Sequence, residues 1–247
     1  MSSRAAAAPP LLEAGVGAAR AWCSGRAHGN VGDHVGDDPA VVARNRAALA
    51  ARTGAGPGGW VWLHQVHGTD VHVATRSGTA TRAGKPGTSP DVPVADAVVT
   101  AERGLALAVV TADCAPLVLS CDDAVGVVHA GHRGLAGGVI EAAIARLRDI
   151  GTGDVRAYLG PCIRADRYEF GRDDLVPFVE RFGPGVEGRT RTGAPALDIP
   201  GAIRIVCERE GVVSFEDSGI CTADSADYFS YRRDGGTGRQ ATIAARS

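Results

Sequence analysis

Between Asp96 and His129 the chain carries four short apolar segments in succession, DAVVT, LALAVVTADC, LVLSC and AVGVVH. Each is bounded by polar turn residues, which marks them as buried strands. No helical pattern separates them. A doubly wound parallel sheet needs a helix between successive strands, so this run favours an α+β fold instead.

The flanks fill in the other elements. Residues 18–24 predict a strand, followed by the Gly/Asp-rich loop GRAHGNVGDHVGDDP. A helix is expected over DDPAVVARNRAALAART, with Asp37 or Asp38 as cap and Pro39 in its first turn. Residues 60–66 and 70–74 predict two strands joined by a tight turn at His67-Gly68-Thr69. Residues 76–93 carry Gly, Pro, Ser and Thr without periodicity and predict a mobile loop. Ile140, Ala143, Ile144 and Leu147 share one helix face, with Gly151 at the expected C-cap. A strand over 155–160, helices over 172–182 and 200–210, a strand at GVVSF and a last strand after the Gly turn complete the pattern. Neither an internal repeat nor a linker divides the chain. Residues 1–15 are expected to fray, and 16–247 to form one metal-dependent catalytic domain.

Composition excludes several classes. The net charge is −2, with 26 basic and 28 acidic residues and no long block of either sign. That gives no electrostatic footprint for nucleic acid or an anionic membrane. No apolar run is long enough to span a bilayer, and the start MSSRAAAAPPLLEAG lacks the apolar core of a signal peptide. Six dispersed cysteines in a chain of 247 residues predict reduced thiols in a cytoplasmic protein. Lys85 is the one lysine and sits in a loop-like stretch, which argues against Schiff-base or P-loop chemistry.

Three apolar segments end in a residue able to hold a metal: His67, Cys114 and His129. If the strand ends converge, two imidazoles and a thiolate make a three-ligand zinc site with a fourth position open, the pattern of a catalytic zinc. His64 and His67 would face opposite ways on an extended strand, so His67 is the candidate and His64 packs or supports. His72 reads as the solvent face of its strand. The same residues allow a Cys114/His129 nucleophilic pair for acyl transfer. Asp113 could take a proton or orient a base, and reads equally well as a strand-end turn residue. Arg133 could hold a phosphate or carboxylate, or be an ordinary surface arginine. Arg26, Arg232 and Arg233 are weaker candidates of the same kind. Copper chemistry is testable by composition. Met1 is the only methionine and no His-X-His occurs, which argues against a conventional laccase.

Taken together, HQVHGTDV, ADAVVT, GLALAVVTADCAPLVL, VGVVHAGHRG, LGPCI, YEFG and FSYRRDGGTGRQA resemble the bacterial polyphenol oxidase, or laccase-domain, family, whose members are also described as purine nucleoside phosphorylases. The resemblance runs from about Trp22 to the end of the chain. It implies a single α+β domain of layered mixed β-sheets with outer helices. It also implies a metal, zinc or sometimes copper, on His67, Cys114 and His129. The activities it implies are phosphorolysis of adenosine, inosine and methylthioadenosine, and adenosine deamination. Polyphenol oxidation and an amidase editing peptidoglycan precursors are the alternatives. Purine nucleosides and phosphate would be the substrates, with Asp113, Arg133 and Cys114 as candidate catalytic residues. His132 stands where the family usually has Trp and is expected to form a pocket wall. Arg167 stands where the family often has Cys. Asn30, His34, Gly36 and Asp37 preserve a shortened version of the family's N-terminal loop.

Overall fold

The structure, a computed structural model, describes residues 9–54, 59–76 and 92–246. In chain order it opens with β1 (Leu12–Val16), β2 (Ala19–Cys23), α1 (Pro39–Thr53), β3 (Trp60–Val61) and β4 (Val71–Val73). The central run follows as β5 (Ala97–Thr100), β6 (Ala106–Thr111), β7 (Ala115–Ser120) and β8 (Val125–Ala130). Then come α2 (His132–Gly137), α3 (Val139–Ile150), β9 (Arg156–Leu159), α4 (Arg172–Phe182), β10 (Glu187–Arg189) and β11 (Pro195–Leu197). The chain finishes with α5 (Ile199–Arg209), β12 (Ser214–Asp217), α6 (Tyr231–Asp234) and β13 (Gln240–Arg246).

Two mixed sheets carry the architecture. One has the order β1-β2-β13-β6-β3 and the other β12-β9-β7-β8-β5-β4, with β10-β11 as a separate ribbon. The four central apolar segments do not all lie side by side. β6 belongs to the first sheet, while β5, β7 and β8 belong to the second. Their near-continuous apolar character follows, because both faces of each strand are covered. On β6, Leu107 and Val109 face the layer between the sheets, while Ala106, Ala108 and Val110 pack with Leu49 of α1. On β7, Val118 joins the inter-sheet layer, while Leu117 and Leu119 meet Ile140, Ile144 and Leu147 of α3. The order of layers is therefore helix, sheet, sheet, helices, an α+β fold with outer helices.

Local signals place most elements where expected. The Asp38 carboxylate accepts from the Ala40 N–H and caps α1, with Pro39 at its first position. Gly151 does close α3, though in an extended rather than left-handed conformation. Two expectations are corrected. Leu12–Gly15, inside the stretch expected to fray, belong to β1 and pair in antiparallel register with β2. The strands expected around His67 form no hairpin, since β3 and β4 lie in different sheets. The segment between them finds other partners. The Gln65 amide donates to the Val110 carbonyl and accepts from the Val110 N–H, at 2.8 Å each, so a side chain takes the place of a ladder residue. Lys85 and most of the loop expected over 76–93 lie outside the described residues.

At the edge of the second sheet, β12 runs parallel to β9. Arg164, just beyond β9, donates both terminal nitrogens to the Asp217 carboxylate at 2.6 and 2.5 Å. Burial would raise the Asp217 pKa, but Arg164 and the Gly219 N–H outweigh it and hold the carboxyl below its ordinary value. The pair's stabilisation is therefore complete above that ordinary value, near pH 4, and is lost as pH falls through the lowered folded value. Replacing Arg164 with Met is expected to cost about 1–3 kcal/mol at pH 7 in urea unfolding. The gap between wild type and variant should narrow progressively below about pH 4; a gap independent of pH would contradict this.

Candidate metal centre

The chain crosses from the first sheet to the second twice at one end of the molecule. Residues 62–70 connect β3 to β4, and residues 112–114 connect β6 to β7. His67 lies on the first crossover and Cys114 on the second. His129 ends β8, next to both. Its ring points into the layer between the sheets because it alternates with Val128, which faces the helices. Donor atoms of His67, Cys114 and His129 all lie within 4.8 Å of one another. Cys114 Sγ stands 3.8 Å from His67 Nε2, and the two imidazoles meet edge to face with centroids 4.8 Å apart. His129 is buried and His67 exposed, which leaves one side open. Their positions at the ends of apolar segments pointed to these three residues, and the fold brings them together.

What holds them is a residue that spacing did not single out. Asp96, fully buried at the start of β5, accepts from His129 Nδ1 at 2.8 Å. The same carboxylate accepts backbone N–H groups from Val66 at 3.1 Å, His67 at 3.0 Å and Gly68 at 2.6 Å. Three successive amides converging on one oxygen pair give the His67 turn its shape. His67 has φ of 59°, and Asp113, beside Cys114, has φ of 97°. They are the two non-glycine residues with positive φ among the described residues. Both lie on the crossovers, where backbone in a disfavoured region is held by its surroundings and marks a built site. The available signal for Asp96 was an acidic residue opening an apolar strand, where an unpaired carboxylate would be costly.

Glycine at 131 has a specific cause. A Cβ there would stand 2.7 Å from the His67 ring and 3.3 Å from Cys114 Sγ. The backbone after β8 thus passes directly against the two ligands, and any side chain would push the imidazole away.

Electrostatics couples the cluster. Burial pushes the Cys114 thiol up, but the adjacent His129 and His67 rings outweigh it and bring the thiol well below its ordinary value. Burial works downward on His129, and the Cys114 charge together with Asp96 overrides it and raises the ring. The pair therefore favours thiolate beside imidazolium when no cation intervenes. The donor chemistry fits a metal: a thiolate, an exposed imidazole, and an imidazole whose Nδ1–H is held by a carboxylate so that Nε2 is left to coordinate.

The remaining candidates separate. Asp113 accepts from the Thr222 hydroxyl at 2.6 Å on one oxygen and from the Arg232 N–H at 2.7 Å on the other. Both oxygens are engaged, so its visible work is to hold the crossover rather than to shuttle a proton. Arg133 is exposed in the first turn of α2 and makes no hydrogen bond or ion pair among the described residues. Arg26 pairs with Asp234 and lies over the Phe229 ring. Arg232 donates to the Glu169 carbonyl at 3.0 Å and covers the Tyr168 ring. Arg233 is spent on Asp234 and three carbonyls. His64 is exposed and bridges to Val94 through its backbone. His72 is half-buried rather than solvent-facing. His132 lies edge-on to Phe170 and 3.4 Å from the Tyr168 hydroxyl. Burial, Arg133 and His67 lower its pKa, so its ring is neutral at neutral pH. A second group of three donors, Asp166, Cys221 and Asp224, has its carboxylates paired with Arg167 and Arg191 and reads as a surface ion-pair network.

A two-sheet α+β domain with a His/Cys/His cluster at its sheet crossovers is the class this chain defines. It belongs to the family described as multi-copper polyphenol oxidoreductase laccase, whose model matches residues 16–247. A protein of Streptomyces griseus named purine nucleoside phosphorylase is 42% identical over 216 residues, covering 86% of this chain and 84% of that protein. One of Corynebacterium glutamicum with the same name is 38% identical, covering 87% and 85%. Among solved structures, a Neisseria meningitidis protein is 31% identical with a TM-score of 0.82, covering 97% of this chain and all of that one. YlmD from Geobacillus stearothermophilus is also 31% identical, with a TM-score of 0.80, covering 92% and 91%. No helix among the described residues is long and apolar enough to cross a membrane.

Replacing Asp96 with Asn removes the charge that collects four donors and turns an amide NH₂ toward one of them. Urea unfolding is expected to show a loss of about 2–4 kcal/mol. A loss under about 1 kcal/mol would mean that Asp96 is not the anchor of the His67 turn.

Proposed function

We propose that the protein is a zinc-dependent purine nucleoside phosphorylase that also deaminates adenosine, acting on adenosine, inosine and methylthioadenosine. The observation that carries this is the convergence of His67, Cys114 and His129 on a carboxylate-braced open site, in a chain 42% identical to a protein named purine nucleoside phosphorylase. His67, Cys114 and His129 would hold the zinc, with copper as the other metal the family description suggests. When bound there, zinc supplies a Lewis acid and lowers the pKa of its water toward about 7, the chemistry that attack at C6 of adenosine calls for.

The chain's own residues supply the rest. Asp96 keeps His129 in the tautomer that leaves Nε2 free. Tyr168, His132 and Phe170 form an aromatic wall suited to a purine face. Burial and the nearby Cys114 charge push the Tyr168 hydroxyl up to about 12, against the opposing Arg232 charge. That hydroxyl therefore stays protonated at neutral pH and can donate to a purine acceptor. Phosphorolysis also needs an anion site, for which Arg133 is exposed and uncommitted.

A Cys/His amidase is the second reading, favoured by one observation: the lowered Cys114 thiol lies against two imidazoles, the setting of an activated nucleophile. One experiment separates the two. Purified protein is expected to carry one zinc per chain and to release hypoxanthine from inosine in the presence of phosphate. Chelation, or His129→Ala, should lower turnover at least about 100-fold, with zinc restoring only the chelated wild type. Unchanged turnover in His129→Ala would overturn the assignment. Full amidase activity in Cys114→Ser would end the second reading.

A further inference from the structure

The Gly-rich turn before β13 ends in Arg239. β13 pairs with β6 so that Gln240 stands opposite Thr111. Arg239, one residue earlier, therefore lies beside the start of the crossover that carries Asp113 and Cys114. It is half-buried. Burial lowers the pKa of its guanidinium, against the opposing pull of the nearby Cys114 and Asp113.

Its surroundings are built to hold it. Asn30, buried under the N-terminal loop, accepts from the Arg239 N–H at 2.7 Å and the Gly32 N–H at 2.9 Å. The Asn30 amide donates to the Gly32 carbonyl and to Asp37. The Val31 N–H closes the exchange on the Arg239 carbonyl at 3.1 Å. Gly32 lies flat on the arginine stem, where a Cβ would meet Arg239 Cγ at 2.6 Å. The side chain's own Nη1 donates to the Thr237 and Gly238 carbonyls at 2.9 and 3.1 Å, which sets the guanidinium plane. Asn30 thus ties Gly32, Asp37 and the Arg239 backbone together, and Gly32 lies against the arginine stem.

That cation is unlike its neighbours. Arg26, Arg167 and Arg233 each pair with a carboxylate, and Arg232 covers an aromatic ring. Arg239 has no carboxylate partner among the described residues, and its Nε and Nη2 make no hydrogen bond there. A half-buried guanidinium without a counter-ion is costly, and its remaining fork matches two oxygens of a tetrahedral anion.

We propose that Arg239 holds the phosphate co-substrate, presenting its Nε–Nη2 edge beside the Ala112–Cys114 crossover. The proposal rests on the phosphorylase reading above and names the anion site that reaction needs. Arg133, the exposed alternative, would then be dispensable for phosphate.

Two measurements on the zinc-loaded full chain test it: steady-state phosphorolysis of inosine, and calorimetric binding of inorganic phosphate without nucleoside. Arg239→Gln is expected to raise the KM for phosphate at least about 10-fold while moving the KM for inosine less than about 2-fold. Its phosphate affinity should fall by a similar factor of about 10 or more. Arg239→Lys should fall between Gln and wild type, because the charge remains and the fork is lost. If Arg239→Gln does not fold, Arg239→Lys is decisive, and wild-type phosphate binding in that variant overturns the proposal. Active wild type together with wild-type phosphate use by Arg239→Gln would overturn the anion site and leave the phosphorylase reading standing. Wild type that binds phosphate through Arg239 yet never cleaves a nucleoside would sink the phosphorylase reading and keep the anion site.

Discussion

One carboxylate organises the functional end of this molecule. Asp96 is buried and ionised, and that state is tolerable only because four donors converge on it. Three are successive backbone amides and one is the ring nitrogen of His129. The bonds are mutually dependent. Without the carboxylate, residues 66–68 have no partner for their N–H groups, the left-handed turn at His67 has no support, and the His129 ring can turn. The price of burying a charge in the sheet is thus met by the loop that carries one ligand and the ring that is another.

Topology explains why the cluster lies where it does. Strands that belong to one sheet pass the chain to the other at residues 62–70 and 112–114, both at the same end. Crossovers of this kind cannot continue a hydrogen-bonded ladder. Their polar groups find scattered partners instead: Asp96 accepts three amides of the first crossover, Gln65 docks on Val110, and the Asp113 carboxylate of the second is held by Thr222 and the Arg232 N–H. Those side chains fix the backbone tightly enough to hold two non-glycine residues at positive φ. Rigid positioning of ligands and irregular backbone are two sides of one requirement.

Much of this was legible in the residues. The uninterrupted strand run favoured α+β over a doubly wound sheet, the α3 apolar stripe and the start of α1 at Asp37 or Asp38 with Pro39 read directly, and His67, Cys114 and His129 stood out as strand ends. The rest depended on long-range pairing that no local pattern records. The separation of β3 from β4 into different sheets follows from the Gln65 side chain docking 45 residues away on Val110. Asp113 read equally as a proton-transfer group or a strand-end turn residue, because nothing local reveals Thr222 and the Arg232 amide waiting for it. No local pattern singles out Arg239, because its partners, Asn30 and Gly32, lie about two hundred positions earlier. Isolated arginines on the rim resembled one another in sequence and differ only in whom they meet.

The placement of β13 has a consequence for how the molecule is assembled. It sits between β2 and β6 and follows every other strand in the sequence. Until it inserts, the first sheet exists as two unjoined halves, β1 with β2 and β3 with β6, each exposing an unpaired edge. The contacts that close the gap are among the most distant in the chain, which makes them slow to form. The same insertion brings Arg239 against Asn30. A chain in which β13 has not yet inserted would therefore lack the Arg239–Asn30 contact beside the His/Cys/His cluster, so closure of the sheet and completion of that rim arrive together.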